Sequence, residues 1–257
     1  MLLAIDIGNS AIKFGIYDAA GLLDRFSVAT WRDYEPEELF FDRLRFVAQK
    51  FVRVDHVIAA SVVPEVNATL TRATRELFKV TPIFVDERTD FGFTIKYSPP
   101  SHVGADRLVT AFSAVQKHKA PVIICSFGTA TVVDAVNSKL EYIGGIIAPG
   151  LGIMAEGLHS KTSLLPKVTI ARAEGLIGQT TYDAVLSGVY NGTVALAEGL
   201  ISRVIGEMVK QDSARPKVIA TGGFSRVLAP DLPSVDAFED DMVLEGLRLL
   251  AERSLPR

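Results

Sequence analysis

Cysteine is almost missing from this chain: among 257 residues there is only Cys125, set in the apolar run Val122-Ile123-Ile124-Cys125. That excludes an internal disulfide framework and a cysteine-rich metal site, and it reads as a small buried hydrophobe. An excess of either charge is also missing. The net charge of -3 leaves no basic footprint for nucleic acid or an anionic membrane. No apolar run reaches the ~18 residues of a membrane span. The best candidate, 143–154, is broken by Gly144, Gly145, Pro149, Gly150 and Gly152. Met1 to Ile5 is apolar but short, lacks a cationic leader and runs into Asp6, so a cytoplasmic protein is expected. Neither a dinucleotide G-x-G-x-x-G nor a P-loop G-x-x-x-x-G-K-[ST] occurs.

What is present is a large apolar fraction, 48%, enough for a sizeable core, and a regular alternation of short apolar runs with turn residues. Leu2 to Ile7 is a continuous apolar strand closed by Gly8-Asn9. Ile12, Phe14 and Ile16 then alternate with Lys13, Gly15 and Tyr17 at period two. A third strand is expected from Leu22 to Thr30. A helix follows from Pro36 with Phe40, Leu44, Val47 and Phe51 at helical spacing, then a strand over 56–61, a helix after Pro64 and a short strand over 83–85. The order is βββαβαβ. The second half begins with a helix over 106–118 and strands over 122–126, 131–136 and 142–147. A long helix over 181–209, a strand over 218–220 and a last helix over 242–250 complete it.

Two internal correspondences suggest a repeat. Asp6-Ile7-Gly8-Asn9-Ser10 aligns with Ser126-Phe127-Gly128-Thr129-Ala130 at an offset of 120, and Val57 to Ser61 aligns with Val218 to Gly222 at 161. The second half then holds about 41 additional residues between Leu140 and Leu200. The expected division is 1–115 for an N-terminal half and 116–257 for a C-terminal half that carries the insertion.

The turns are where chemistry can reside. Glycine and small residues at a hairpin let backbone N–H groups approach an anion. Asp6, at the end of a buried strand, can hold a hydrated Mg²⁺ that bridges phosphates, and Lys13 on the next strand can reach a phosphate oxygen. Phosphoryl transfer needs such parts, because its catalysis is mostly positioning and charge neutralisation. Gly128-Thr129-Ala130-Thr131 offers a second set of amides and two hydroxyls. Thr221-Gly222-Gly223 ends a strand and removes side chains where a flat adenosine could lie. The same residues also have a bland reading: an acid stabilising its own turn and a solvent-facing lysine.

Seven segments in order resemble the type III pantothenate kinases. They are Asp-Ile-Gly-Asn-Ser at 6–10, Ser-Val-Val-Pro at 61–64, Gly-Ala-Asp-Arg at 104–107, Gly-Thr-Ala-Thr at 128–131, Gly-Gly-Ile-Ile-Ala-Pro-Gly-Leu at 144–151, Ser-Gly-Val-Tyr at 187–190 and Ala-Thr-Gly-Gly at 220–223. The resemblance implies an α/β fold of the acetate kinase, sugar kinase, Hsp70 and actin superfamily, with two similar ribonuclease H-like halves and a nucleotide cleft between them. It implies phosphorylation of pantothenate to 4′-phosphopantothenate with ATP and Mg²⁺, the first step of coenzyme A synthesis. A homodimer and a monovalent cation, K⁺ or NH₄⁺, are implied as well. By the same resemblance Asp106 is the general base. Tyr97, Gly104, Ala105, Arg107 and a partner subunit's Thr181 contact pantothenate. Asp6, Gly8, Asn9, Ser10, Lys13, Gly128, Thr129, Thr221, Gly222 and Gly223 handle the nucleotide.

Three positions depart from the family pattern. Ser126 stands where the family usually has the aspartate that binds the monovalent cation. Thr180 replaces a frequent asparagine, and Thr110 stands near another. Asp134, eight residues after Ser126, would compensate if it faced the same cavity. The loss at 126 raises an alternative, a catalytically impaired, nucleotide-binding regulatory protein like those described as Bvg accessory factors. A sugar kinase or exopolyphosphatase is a further alternative that Gly104 to Arg107 disfavours.

Overall fold

The computed structural model describes residues 1–29, 36–51, 53–212 and 214–254. Thr30, the expected end of the third strand, lies outside them. The chain forms two compact units. One comprises 1–92, 98–113 and 242–257, and the other 93–97 and 114–241.

In the first unit, β1 (Leu2–Ile7), β2 (Ala11–Asp18) and β3 (Gly21–Ala29) form an antiparallel meander, α1 (Pro36–Lys50) follows, and β4 (His56–Ser61) returns parallel to β1. Helix α2 (Asn67–Phe78) and β5 (Ile83–Phe84) complete a sheet of order β3-β2-β1-β4-β5. Period two divides the side chains of β1. Leu3, Ile5 and Ile7 join Phe40, Leu44, Val47, Leu70 and Ala73 of α1 and α2 in one apolar cluster. The other face of the sheet takes α7 (Met242–Ser254), which packs on β1, β2 and β4. The sequence reading places that helix with the C-terminal half. Its partners lie more than 180 residues upstream, which no local pattern reveals.

The second unit repeats the plan. Strands β7 (Val122–Phe127), β8 (Ala130–Val136) and β9 (Glu141–Pro149) form a meander. β10 (Lys217–Thr221) lies parallel to β7, and β11 (Ala237–Phe238) lies beside β10. The sheet order is β11-β10-β7-β8-β9-β6, with β6 (Thr94–Ile95) added at the β9 edge. Without β6 this is the order of the first sheet. The register repeats too: Leu2 pairs with His56 in one sheet and Val122 with Lys217 in the other. The hairpins differ by one residue. Asp6 pairs with Lys13, whereas Ser126 pairs with Val132, because the second turn is shorter.

The additional residues of the second unit lie between β9 and β10. They form α4 (Leu151–Lys161), an irregular segment over 162–180, and α5 (Thr181–Asp212). Helix α3 (Ala105–His118) and α6 (Ser225–Leu228) complete the elements. Over the 30 residues Thr181–Lys210 α5 is long and apolar enough to cross a membrane by composition, yet it lends Val189, Tyr190, Ala197, Ile201 and Met208 to the core of its own unit.

Candidate active site

Asp6 is the last polar residue of β1, 9% exposed, and its register partner on β2 is Lys13. Paired residues of adjacent strands share a face with Cβ atoms ~5 Å apart. An acid and a base are thus set side by side at the carboxyl end of a parallel strand, where α/β sheets receive ligands. Between them runs the turn Gly8-Asn9-Ser10. It is closed by Gly8 N–H donating to the Ala11 carbonyl at 3.0 Å, while Asn9 and Ser10 stand exposed.

The Ser61-Val62-Val63-Pro64 segment joins this turn to the expected general base. Val62 N–H donates to the Ile7 carbonyl at 3.0 Å, and the Ser61 hydroxyl both donates to Val63 O and accepts from Val63 N–H at 3.2 Å. A Cβ on Gly104 would lie 3.3 Å from Val62 Cγ1 and 2.5 Å from Asp106 Oδ1. Gly104 therefore leaves the space that the Asp106 carboxylate occupies. Asp106 sits in the first turn of α3, and its Oδ1 accepts the Arg107 N–H at 2.8 Å. Helix-end acid and catalytic base are compatible roles, since the N-terminal partial charge fixes the carboxylate that would take a proton. Thr110, one of the departures, donates its hydroxyl to the Asp106 carbonyl at 2.7 Å and so braces the same turn.

In the second unit the two remaining turns stand together. Ser126 and Thr221 are register partners on β7 and β10, so Gly128-Thr129 and Thr221-Gly222-Gly223 leave adjacent strand ends. Gly222 has φ +96°, a region that disfavours side chains, and a Cβ there would lie 2.5 Å from the Phe127 carbonyl oxygen. The same oxygen accepts Phe224 N–H at 3.0 Å. Gly223 opens onto free space. Gly150 supports the second turn from below. Its N–H donates to Thr129 O at 3.1 Å, and a Cβ would collide with the carbonyls of Gly128 and Thr129. Gly144 at φ +102° backs Tyr97, whose ring carbon would lie 3.4 Å from a Cβ at 144. Both glycines lie in a quoted segment to which the sequence reading gave no role. A glycine that a neighbour packs against leaves no periodic signal.

Ser126 presents a neutral hydroxyl on the sheet face shared with Asp134. Asp134 lies two residues beyond Val132, the register partner of Ser126. The buried Asp134 carboxylate accepts the Tyr142 hydroxyl at 2.6 Å. The Thr131 hydroxyl, 1% exposed and without a hydrogen-bond partner, is on the opposite face with Phe127. The Thr131 hydroxyl therefore does not join the Ser126 hydroxyl and the Asp134 carboxylate on one face. Among the described residues no cluster of three or more His, Cys, Asp or Glu side chains stands ready for a metal. Cys125 is fully buried, and burial pushes its thiol up to about 12, which leaves it no thiolate at neutral pH.

Thr180 caps α5. Its hydroxyl donates to Asp183 Oδ2 at 2.6 Å and accepts Asp183 N–H at 3.1 Å, an N-cap bond. Threonine and asparagine are both N-cap residues, so this departure keeps the geometry that presents the exposed Thr181.

A profile of the type III pantothenate kinase family matches residues 2–203. The chain belongs to that family. It is 40% identical over 257 residues to the type III pantothenate kinase of Citrifermentans bemidjiense, covering 99% of this chain and all of that one. It is 33% identical over 261 residues to that of Halalkalibacterium halodurans, again covering 99% of this chain and all of that one. Among solved structures, a protein described as a Baf family transcriptional activator from Campylobacter jejuni superposes with TM-score 0.61 at 18% identity, with 98% of each chain covered. A glucokinase of the ROK family from Streptomyces griseus, solved with glucose and AMPPNP, gives 0.56 at 13% identity over 98% of this chain and 99% of that one. At these identities the likeness is one of fold, the two-domain fold of sugar kinases and actin.

Proposed function

We propose that this type III pantothenate kinase family member transfers the γ-phosphoryl group of ATP to the primary hydroxyl of pantothenate, giving 4′-phosphopantothenate, the first step of coenzyme A synthesis in the cytoplasm. The observation that carries the reading is Asp106 at the start of α3, its carboxylate in the space left by Gly104, one segment from the Asp6 turn. Asp106 accepts the hydroxyl proton as the oxygen attacks phosphorus, and Arg107 and Tyr97 orient the pantothenate. The amides of Gly8, Asn9 and Ser10, with Lys13, are groups for phosphate contact, and so are Gly128 and Thr129 in their own turn. The space over Gly223 suits the adenosine. Asp6 is the carboxylate for Mg²⁺, which would neutralise phosphate charge when bound.

The monovalent cation fits this chain less well. Ser126 supplies an oxygen without charge, and the Asp134 carboxylate is engaged by Tyr142. A homodimer accords with three highly exposed apolar side chains in the 162–180 segment, Leu164 at 89%, Leu176 at 76% and Ile177 at 86%, which a second copy would cover.

The test is ADP release with and without pantothenate, repeated with Asp106→Asn. A positioned base contributes ~10² to 10⁴-fold, so the variant is expected to lose that much kcat and keep its fold. Absence of pantothenate-dependent ADP from the natural protein would overturn the reading. Near-normal turnover of the variant would leave Asp106 as a helix-end acid alone.

A further inference from the structure

The segment over 162–180 contains no strand or helix among the described residues, yet it ends at Thr181, where the first helix turn of α5 begins. Its hold on the unit comes from scattered contacts. At its start, the Thr162 hydroxyl donates to Leu158 O at 2.8 Å, and His159 Nδ1 meets Leu165 O at 3.0 Å. At its end, the Ser187 hydroxyl donates to Leu176 O at 2.6 Å, and Gly178 packs on the backbone of Asp183 and Ala184. These tie the segment to the helices that flank it in sequence. Val168 is buried in the core, and Thr169 N–H donates to the Tyr182 hydroxyl at 3.2 Å.

One tether is different in kind. Arg172 Nε and Nη2 donate to the two oxygens of Asp231 at 2.8 and 2.9 Å, a bidentate fork. Asp231 lies in the 3-10 turn Ala229–Asp231, which follows α6 and so belongs to the same run of chain as Thr221-Gly222-Gly223. The same carboxylate accepts the hydroxyl of Tyr190 at 2.5 Å, and that hydroxyl is also within 3.2 Å of Val227 O. Tyr190 is itself buried in the middle of α5. The carboxylate therefore has two donors on two elements, one of them fixed. The Arg172 guanidinium first, and the Tyr190 hydroxyl second, hold the Asp231 carboxyl down to about 2, so the fork persists across the working pH range.

We propose that Arg172 is a positioning residue for pantothenate: its fork on Asp231 fixes where the 162–180 segment, and through it Thr181, stands. This rests on the reading of Thr181 as a substrate contact. Much of Arg172 is exposed, and exposed ion pairs contribute little to global stability. The apolar anchors Val168, Leu165 and Ile170 remain when the fork is cut. Loss of Arg172 should therefore loosen the segment without unfolding the unit, and the loss should appear in substrate capture.

The experiment compares the natural protein with Arg172→Ala, Arg172→Lys, Asp231→Asn and Thr181→Ala. Three readouts are needed: pantothenate KM, kcat and ATP KM; the thermal midpoint; and amide hydrogen exchange over 162–180. For Arg172→Ala the expectation is a pantothenate KM raised roughly fivefold at unchanged kcat, ATP KM and midpoint, a modest slip in positioning. Exchange should be faster over 162–180 and unchanged in β7 and β10. Asp231→Asn should give the same changes in pantothenate KM and exchange, with a lower midpoint because the buried Tyr190 hydroxyl loses its carboxylate acceptor. Arg172→Lys should fall between, because lysine keeps the charge and loses the fork. An unchanged pantothenate KM, a fall in kcat with the midpoint, or unaltered exchange in Arg172→Ala would overturn the proposal. Thr181→Ala separates the underlying reading. If its pantothenate KM does not move while that of Arg172→Ala does, the fork positions a different residue of the segment and the Thr181 link is overturned. If the natural protein proves inactive on pantothenate, the function fails as read, and unaltered exchange in Arg172→Ala still rejects the fork as the segment's tether.

Discussion

At the scale of single residues, the position that most separates this chain from its family's pattern is Ser126. A carboxylate at 4 Å from a monovalent cation contributes up to ~4 kcal/mol at an effective dielectric of 20, and a serine hydroxyl can coordinate without balancing the charge. The nearby carboxylate of Asp134 lies on the same face and accepts the hydroxyl of Tyr142 on one oxygen, and Thr131 lies on the far face of the strand. The expected outcome is weak dependence on K⁺, with either a high half-saturating concentration or indifference. Ser126→Asp should lower that concentration. K⁺ titrations of both forms at constant ionic strength, with Na⁺ as replacement, decide the matter. Tight saturation by the natural protein and no change in the variant would show that position 126 is not where the cation acts. The repeat gives the same result from another direction. Asp6 faces Lys13, while its counterpart Ser126 faces Val132, so the charged pair exists in one half only.

At the scale of elements, the two adjacent glycines after β10 make separable predictions. Gly222 is held at positive φ against Phe127, whereas a Cβ at Gly223 would meet no other atom within 4 Å. Gly222→Ala should destabilise the protein by ~2–4 kcal/mol, because strain and overlap with backbone add. Gly223→Ala should keep the denaturation midpoint and raise the KM for ATP, since a methyl group would enter the space proposed for adenosine. Equal midpoints for Gly222→Ala and the natural protein would contradict the contact with Phe127. Much of this was legible beforehand. The offsets of 120 and 161 carry the β1–β4 register onto the β7–β10 register residue for residue, since a buried strand followed by a small-residue turn is a local pattern. Helix α4 was not legible. Gly152 and Gly157 lie inside it and Pro149 just before it, and each weakens the helical signal that burial of Leu151 and Ala155 restores. β6 and β11, two residues each, carry no periodicity to read. Asp106 and Arg107 are visible in the sequence only through the resemblance, whereas the space at Gly104 that seats the carboxylate arises from packing that no local pattern carries.

At the scale of the whole molecule, the insertion that distinguishes the second unit is where apolar surface is left uncovered. Leu164, Leu176 and Ile177 are the most exposed large hydrophobic side chains among the described residues, and Ile153, Leu158 and Tyr182 add to them from α4 and α5. Beside Leu176 and Ile177 lies an open hollow of about 490 Å³, floored by Gly188 and Gly192 of α5. Glycine at those two positions lets another backbone or a large side chain approach the helix closely, and such a surface has no reason to stay apolar in a monomer. The expected state is therefore a dimer at micromolar concentration by light scattering. A stable interface of this kind covers roughly 800 Å² per partner. The double variant Leu176→Asp with Ile177→Asp puts two charges into it and should give a monomer. The fold should persist, because both side chains are solvent-exposed in the single chain. If Thr181 acts in the partner's site, that monomer should also lose capture of pantothenate, seen as a raised KM. A monomer mass for the natural protein would end the dimer reading. A monomeric double variant with an unchanged pantothenate KM would keep the dimer and reject the shared site, which makes the two claims separable in one pair of measurements.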